Sequence, residues 1–243
     1  MLHKALSSLI LGTTLLVVGA PVLSTFVGAQ PAETIQPIDE NSPRQQAIRF
    51  LAEMERANEN VTTLQAEFTQ VRQNQMYLEE AHSNGEFFYS KPNRFRCNYF
   101  KPSDAEFYIL DNTAYFYTPD LKQVEKLNLG DTEQAPIHQM LVGFGLSLKS
   151  ILEVFDPSVI AVEGQEPNLL TIEFVSKDQE RTLNFRSIQV TFDTEKKEPR
   201  QLFIVEDEDE VRVTLVKILK NNPIDPKVFE LNFPSDVDII SYE

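Results

Sequence analysis

Apolar and polar residues alternate through much of the chain after residue 63, and this pattern constrains the fold more than any other feature. Phe95 and Cys97, for example, alternate with Arg94 and Arg96, as residues do in a strand with one buried face. Comparable segments occur at residues 64–68, 105–110, 114–117, 123–127, 187–192, 200–206 and 211–219. Short strands with turn signals between them predict an antiparallel meander.

One amphipathic helix is predicted ahead of these strands. Ser42 followed by Pro43 is an N-cap with proline at the first helical position. The apolar residues that follow recur at helical spacing up to about Asn58, at Ala47, Ile48, Leu51 and Met54. This pattern predicts a helix with one face packed against the sheet.

Short helices are predicted in the middle and near the end of the chain. Residues 136–144 and 148–155 are apolar at mixed spacing with glycines between them, which indicates two short helices joined by a glycine break. Asp225 followed by Pro226 is again a cap with proline. The residue pattern therefore predicts a mainly β, α+β fold with one antiparallel sheet, an N-terminal helix and short inserted helices.

The N-terminus has the pattern of a secretory signal peptide. A short basic start is followed by an apolar run over residues 5–20, and Val27-Gly28-Ala29 offers small residues for cleavage before Gln30. A membrane anchor is the alternative, but Pro21 ends the run short of the roughly 20 residues that span a bilayer. We therefore predict that residues 1–29 are a cleaved signal peptide.

The remaining chain is expected to be one domain. Residues 30–41 are polar and contain two prolines, which predicts a flexible leader. Residues 42–243 are enough for a single domain with a sizeable core. Cys97 is the only cysteine, so no disulfide forms within the chain and apolar burial must hold the fold together.

The charge balance excludes two classes of partner. The net charge is −15, and removal of residues 1–29 takes away one further cation, Lys4, to give −16. Proteins that bind nucleic acid need a basic face, and anionic bilayers attract polybasic segments. We therefore expect no nucleic-acid partner and no attachment to an anionic bilayer surface.

Aromatic residues on the predicted strands are candidates for an apolar cavity. Burying one CH₂ group there is worth about 0.8 kcal/mol, so a long acyl chain gains on the order of 10 kcal/mol before entropy is counted. Periodicity alone does not distinguish this cavity from an ordinary filled core. The candidate lining residues are Phe68, Phe87, Phe95, Tyr99, Phe107, Ile109, Tyr115 and Tyr117.

Catalytic and metal-binding patterns are weak. His82 and His138 have no ligand-like spacing around them, and the acidic residues 206–210 lack the ligand order of a calcium loop. Their place between two strands predicts a solvated hairpin tip. We predict no catalytic residue, metal or cofactor, and we expect Cys97 to be an inert core thiol.

Arg94 and Arg96 are predicted to share the face of their strand opposite Phe95 and Cys97. One interpretation is a docking site for an acidic partner or a lipid headgroup. The other, which we favour, is a solvated outer face.

Short motifs in a fixed order carry a family resemblance. They include Phe68-Thr69-Gln70, Gly85-Glu86-Phe87, Lys91-Pro92-Asn93-Arg94-Phe95-Arg96, Tyr99, Pro102, Tyr117-Thr118-Pro119 and, near the end, Asn221, Phe229, Phe233-Pro234 and Val237-Asp238. In order and spacing the chain resembles the periplasmic outer-membrane lipoprotein carrier family (LolA-like) over most of residues 60–240.

The resemblance implies an incomplete antiparallel β-barrel, a curved sheet whose concave face lies under a short helical lid. It implies a non-enzymatic, monomeric periplasmic chaperone that takes acylated lipoproteins from an inner-membrane release transporter to an outer-membrane receptor. By analogy the lid is residues 136–144, with Ile137, Met140, Leu141 and Phe144 facing the acyl chains.

Two positions depart from the family pattern. Lys91 stands where the family has an arginine that bonds to the closed lid, and lysine keeps the charge without the planar fork. We expect Lys91 to be the lid gate, holding the lid less rigidly. Cys97 replaces a tryptophan and is a much smaller wall residue, so the cavity is expected to be wider.

Two other functions remain open on the same fold. One is a lipid-binding sensor or regulatory module, or a carrier of another lipid; sensors of this kind carry an additional domain, for which we expect no room after residue 240. The other is an enzyme, for which Tyr99, Lys91 and Glu86 are the best available set.

Overall fold

Alternating side chains build a large curved sheet in this computed structural model, which describes residues 39, 41–74, 76, 79–128, 147–177, 185–206 and 209–242. Residues 40–243 form one compact unit. Twelve strands lie within the described residues. In chain order they are β1 Thr63–Asn74, β2 Glu80–Ser90, β3 Arg94–Tyr99, β4 Glu106–Leu110, β5 Thr113–Thr118, β6 Gln123–Asn128, β7 Phe155–Ile160, β8 Leu169–Ser176, β9 Phe185–Asp193, β10 Glu198–Glu206, β11 Asp209–Lys220 and β12 Asp238–Tyr242.

The sheet does not close. Its strand order is β12-β6-β5-β4-β3-β2-β1-β11-β10-β9-β8-β7, so β12 and β7 lie at opposite ends. This confirms the prediction of an incomplete barrel. Its strand pairs are antiparallel except at one end, where β12 pairs with β6 in parallel.

Two helices accompany the sheet in the described part of the chain, α1 at Pro43–Ala57 and α2 at Leu148–Val154. The predicted cap is present, since Ser42 Oγ accepts a hydrogen bond from the Gln45 amide at 3.3 Å. Single 3₁₀ turns occur at Pro119–Leu121 and Pro226–Phe229. The helix predicted over residues 136–144 lies outside the described residues. No described helix is both long enough and apolar enough to span a bilayer.

Strands β2, β7, β8 and β12 were not among those predicted from the sequence. α2 ends at Val154, and Phe155 already has extended backbone angles, φ −123° and ψ 156°, so the chain enters β7 without a loop. β7 contains Pro157, and a proline argues against a central strand because it lacks a backbone donor, although an edge strand tolerates it. β7 is indeed the last strand of the sheet on its side.

Two large apolar clusters and a small third one, Ile109 with Ala114, form the core of the described residues. The first joins the buried face of α1, through Phe50 and Leu51, to residues of β7–β11 such as Leu202. The second is centred on β1 to β3 and includes Phe68 and Leu215. Val213 packs against both clusters. The two clusters therefore lie on one side of the sheet, which we call the inner face; the other side is the outer face.

Candidate functional site

A row of apolar residues crosses six adjacent strands on the inner face. Directly paired residues on neighbouring strands share one face of a sheet, so the strand register defines the row. Its members are Ile218, Ala66, Phe87, Cys97, Phe107 and Phe116. At the β4–β5 end the rings of Phe107 and Phe116 stack with centroids 4.3 Å apart.

A second row runs beside the first, one pleat away. It consists of Leu64, Tyr89, Phe95, Ile109, Ala114 and Leu127. Phe95 joins the two rows, since its ring centroid lies 5.7 Å from that of Phe87 and 5.9 Å from that of Phe107. The inner face of β1–β5 is therefore a continuous aromatic and aliphatic surface.

Glycine brings two further rings together on this face. Gly85 lies between Phe68 and Tyr99 in the register, and a Cβ atom there would be 2.1 Å from the Asn98 carbonyl and 2.8 Å from the Phe68 ring. Without that atom, Phe68 lies over the backbone of β2 and meets Tyr99 edge to face, with centroids 5.3 Å apart. The Tyr99 hydroxyl donates to Gln70 Oε1 at 3.0 Å. Burial raises the pKa of Tyr99, so the hydroxyl stays protonated.

The inner face of β1–β5 is incompletely buried. Ala66, Phe68 and Phe87 are buried, whereas Phe95, Tyr99 and Phe107 are packed against the second cluster with part of each ring accessible. Such a surface suits an apolar ligand. Binding would take the remaining accessible apolar area out of water and would displace no polar partners.

The register corrects two of the predicted lining residues. Tyr115 pairs with Tyr108, and Tyr117 with Glu106, so both tyrosines lie on the outer face. The other six share the inner face. Phe116, which was not among the predicted lining residues, takes the inner position instead. Every residue from Ala114 to Tyr117 is apolar or aromatic, so alternation gave no signal to choose between the faces.

The outer face of β3–β6 is covered by the C-terminal residues 221–237, which we call the strap. Arg96 Nη1 donates to the Val228 carbonyl at 2.9 Å, and the Arg94 guanidinium lies 5.2 Å from the Phe229 ring centroid. The expectation of a solvated face is wrong for Arg96, which is half-buried because the chain after β11 returns across it, whereas Arg94 stays exposed beside the strap.

Aromatic contacts complete the strap. The ring of Phe233 lies 5.2 Å from Tyr117 and 6.0 Å from Tyr108, between centroids. Val124 beneath this region has no exposed surface. Burial and a hydrogen bond to Glu106 raise the pKa of Tyr108. Arg96 also contacts Glu106 Oε2 at 3.1 Å. The arginine thus compensates the negative charge of the half-buried Glu106.

The three residues considered for an enzyme do not converge. The Lys91 ammonium donates to the Glu59 carbonyl at 3.0 Å, beyond the end of α1. Glu86 pairs with Asn98 on the outer face and accepts from its side-chain amide at 3.4 Å. Tyr99 lies on the inner face. The role of Lys91 as a lid gate stays a prediction, because the lid itself, residues 136–144, lies outside the described residues. The predicted lid residues Ile137, Met140, Leu141 and Phe144 belong to that segment and stay predictions as well.

Cys97 is buried in the inner-face row, as predicted, and its thiol is free. Burial, with a smaller effect from the charge of Glu86, raises the pKa of Cys97 to about 12. The thiol therefore stays protonated at neutral pH and is a poor nucleophile. Within the described ranges, no three His, Cys, Asp or Glu side chains are grouped to hold a metal ion.

Comparisons with known proteins agree with this architecture. The family model described as outer membrane lipoprotein carrier protein LolA matches residues 59–232. The outer-membrane lipoprotein carrier protein of Methylococcus capsulatus is 27% identical over 204 residues, which are 82% of this chain and 88% of that protein. The one from Alkalilimnicola ehrlichii is 28% identical over 192 residues, 78% of this chain and 82% of that protein.

One solved structure supports the fold. An uncharacterized conserved protein from Thermus thermophilus superposes with a TM-score of 0.52 at 12% sequence identity. The match covers 82% of this chain and 100% of that chain. The shared architecture therefore extends over most of the present molecule.

Proposed function

This chain belongs to the outer membrane lipoprotein carrier protein LolA family, and from that premise we propose that it binds the acyl chains of lipoproteins on its inner face. The observation that carries the proposal is the apolar surface of the inner face, on which Phe95, Tyr99 and Phe107 are only partly buried. Bound acyl chains would cover these rings and extend the existing core.

Binding of this kind needs no reacting group. Each CH₂ group taken out of water contributes about 0.8 kcal/mol, and a long chain contributes on the order of 10 kcal/mol before ordering costs. The buried thiol of Cys97 is part of the wall. The protein acts as a non-enzymatic chaperone in this proposal.

The lid is part of the same proposal. Residues 136–144 would close over the inner face, with Ile137, Met140, Leu141 and Phe144 against the acyl chains. Lys91 would act as the gate of the lid. Its ammonium contacts a carbonyl next to α1, and a single cation without the planar fork of arginine would hold a closed lid loosely.

We place this activity in the periplasm, following the signal-peptide pattern and the family. The carrier would receive acylated lipoproteins from an inner-membrane release transporter and deliver them to an outer-membrane receptor. It would act as a monomer, since a shuttle exposes its binding face to each partner in turn.

A release assay tests the proposal. Purified mature protein is added to energised spheroplasts of its own source, and the soluble fraction is analysed for newly made acylated proteins. Wild-type protein is expected to release them in equimolar complex. Phe107→Ser on the inner face and Leu141→Asp in the lid are expected to lower the yield more than tenfold, because each removes apolar contact with the chains.

Phe203→Ser is the matched control. Phe203 is also half-buried, but it lies on the outer face of β10 beneath Arg212, so its loss should leave release unchanged. All variants are first compared by urea denaturation to confirm folding. Release that is equal for F107S and wild type would refute the inner-face site. If the wild type releases no lipoprotein and mass spectrometry instead finds small bound lipids, the protein carries another lipid.

A further inference from the structure

The first inner-face row does not stop inside the sheet. Phe116 on β5 pairs with Glu125 on β6, and Glu125 pairs with Ile240 on β12. Ile240 therefore shares the face of Phe107 and Phe116. An apolar chain that follows this row across the sheet reaches the outermost strand with one carboxylate, Glu125, in its path.

β12 is an edge strand with unusual side chains. It is the last strand of the sheet in the described residues, and its one neighbour there is β6. Ile239 is 62% exposed and Ile240 is 40% exposed. Native sheets protect open edges with charged residues, prolines or bulges, since an edge otherwise offers its backbone groups to another strand. Two exposed isoleucines side by side favour such pairing instead.

We propose that this edge binds the polypeptide that follows the acylated residue of the cargo, as an added strand beside β12. The inference rests on the proposed acyl-binding function. Acyl chains lying along the row would bring their attached polypeptide to the edge at Ile240. Backbone hydrogen bonds to β12 would then hold that polypeptide in extended conformation, whatever its sequence.

The surroundings of the edge define the chemistry of the segment. Asp238 begins β12, and Glu125 lies beside Ile240 on β6. Asp236 at the end of the strap is paired with Lys122. That pair compensates the charge of Asp236, so Asp238 is the carboxylate that disfavours an acidic residue opposite it, because like charges across neighbouring strands repel. The partner is thus a neutral or basic extended peptide with a fatty acyl group at its N-terminus.

The test compares three synthetic ligands on the mature wild-type protein by calorimetry. They are N-palmitoylglycine, an N-palmitoylated neutral octapeptide, and the same octapeptide methylated at alternate backbone nitrogens. The octapeptide is expected to bind about tenfold more tightly than N-palmitoylglycine, which corresponds to about 1.4 kcal/mol. Methylation removes backbone donors without adding charge, so it is expected to abolish the gain.

Disulfide trapping locates the peptide. Ser241→Cys on β12 and Ser158→Cys on β7 place one thiol on each edge strand of the described sheet. An octapeptide with cysteine at its fourth residue is equilibrated with each variant in a glutathione buffer. Cross-linking is expected with S241C at several times the yield of S158C. The native thiol does not compete, since Cys97 is buried.

The outcomes separate the two proposals. If N-palmitoylglycine binds and the octapeptide gains nothing, the edge-strand inference is overturned and acyl binding stands. Equal cross-linking of S241C and S158C would overturn it as well. If N-palmitoylglycine and both peptides fail to bind, acyl binding itself is refuted, and the inference falls with it. Both proposals are supported if the octapeptide binds more tightly than N-palmitoylglycine, loses this gain in affinity on methylation, and cross-links preferentially to S241C.

Discussion

At the scale of single residues, Gly85 shows how one missing side chain shapes the inner face. Its backbone lies between the Asn98 carbonyl and the Phe68 ring, with no room for a methyl group. This close approach lets Phe68 reach across β2 to Tyr99. The requirement is steric crowding across the sheet rather than a special backbone angle.

Gly85→Ala is therefore expected to lower the free energy of unfolding by about 2 kcal/mol, as overpacking of a filled site does. Urea denaturation measures the change. Asn84→Ala is the matched control, since Asn84 is the exposed neighbour on the same strand and its side chain should contribute little. A G85A protein as stable as the wild type would show that the strands separate there without cost.

Asp193 makes a second residue-scale prediction, in the turn between β9 and β10. It is 5% exposed, and its Oδ1 accepts hydrogen bonds from the Lys196 amide at 2.9 Å and the Glu195 amide at 3.0 Å. The Lys196 bond is the main reason that the pKa of Asp193 is lowered. A lowered pKa gives stability above the unfolded value of about 3.9, and this stability is lost as the pH falls through the folded value.

Asp193→Asn is expected to cost about 1 kcal/mol at pH 7, since a neutral acceptor forms weaker bonds to the two amides. The difference from wild type should start to shrink below about pH 4, where the unfolded chain binds a proton at this aspartate, and should vanish once the folded carboxylate is protonated as well. Urea titrations between pH 2.5 and 7 measure it, with exposed Asp120→Asn as the charge-matched control. A difference that stays constant over this range would contradict the assignment.

At the scale of elements, the strap ties the end of the chain to the outer face. Asn221 at its start receives a hydrogen bond from the Thr62 amide at 2.8 Å, and its own amide donates to the Asn60 carbonyl at 3.1 Å. Arg96 holds its middle through Val228. β12 then pairs with β6. The strap thus joins the connection between α1 and β1 to the far edge of the sheet.

Arg96→Met is expected to loosen the strap selectively. It removes the donor to Val228 and the cation beside Glu106, at a cost of about 2 kcal/mol. Hydrogen exchange should become faster at the amides of residues 228–242 than at those of β1 and β2. Arg212→Met, which removes a guanidinium over Phe203 elsewhere on the outer face, should leave the strap protected. Unchanged exchange at residues 228–242 in R96M would show that the strap is held by its aromatic contacts alone.

At the scale of the whole molecule, the sheet is divided between two tasks. α1 covers the β7–β11 half, and ion pairs fix it there, Arg44 to Asp156 at 2.8 Å and Lys197 to Glu53 at 2.7 Å. The hydrogen bond from Lys197 also lowers the pKa of Glu53. The β1–β5 half keeps its partly accessible aromatic rows. One half is thus a filled core and the other is the candidate binding face.

The sequence alone determined the features that depend on neighbours along the chain. Ser42 and Pro43 predicted the start of α1, and the helical spacing of the apolar residues predicted its extent to about Asn58. Alternation placed Phe95 and Cys97 inside, and most strands were recovered. These signals are local, because capping, turn chemistry and strand periodicity involve residues only a few positions apart.

Tertiary structure decided everything that depends on pairing between distant segments. The cross-strand register assigned Phe116 to the inner face and Tyr115 and Tyr117 to the outer face, where every residue was a suitable strand former. The returning strap partly covers Arg96, and β12 pairs in parallel at the edge of the sheet. A local pattern specifies that a strand has two different faces, but only the packing of the folded sheet determines what covers each face.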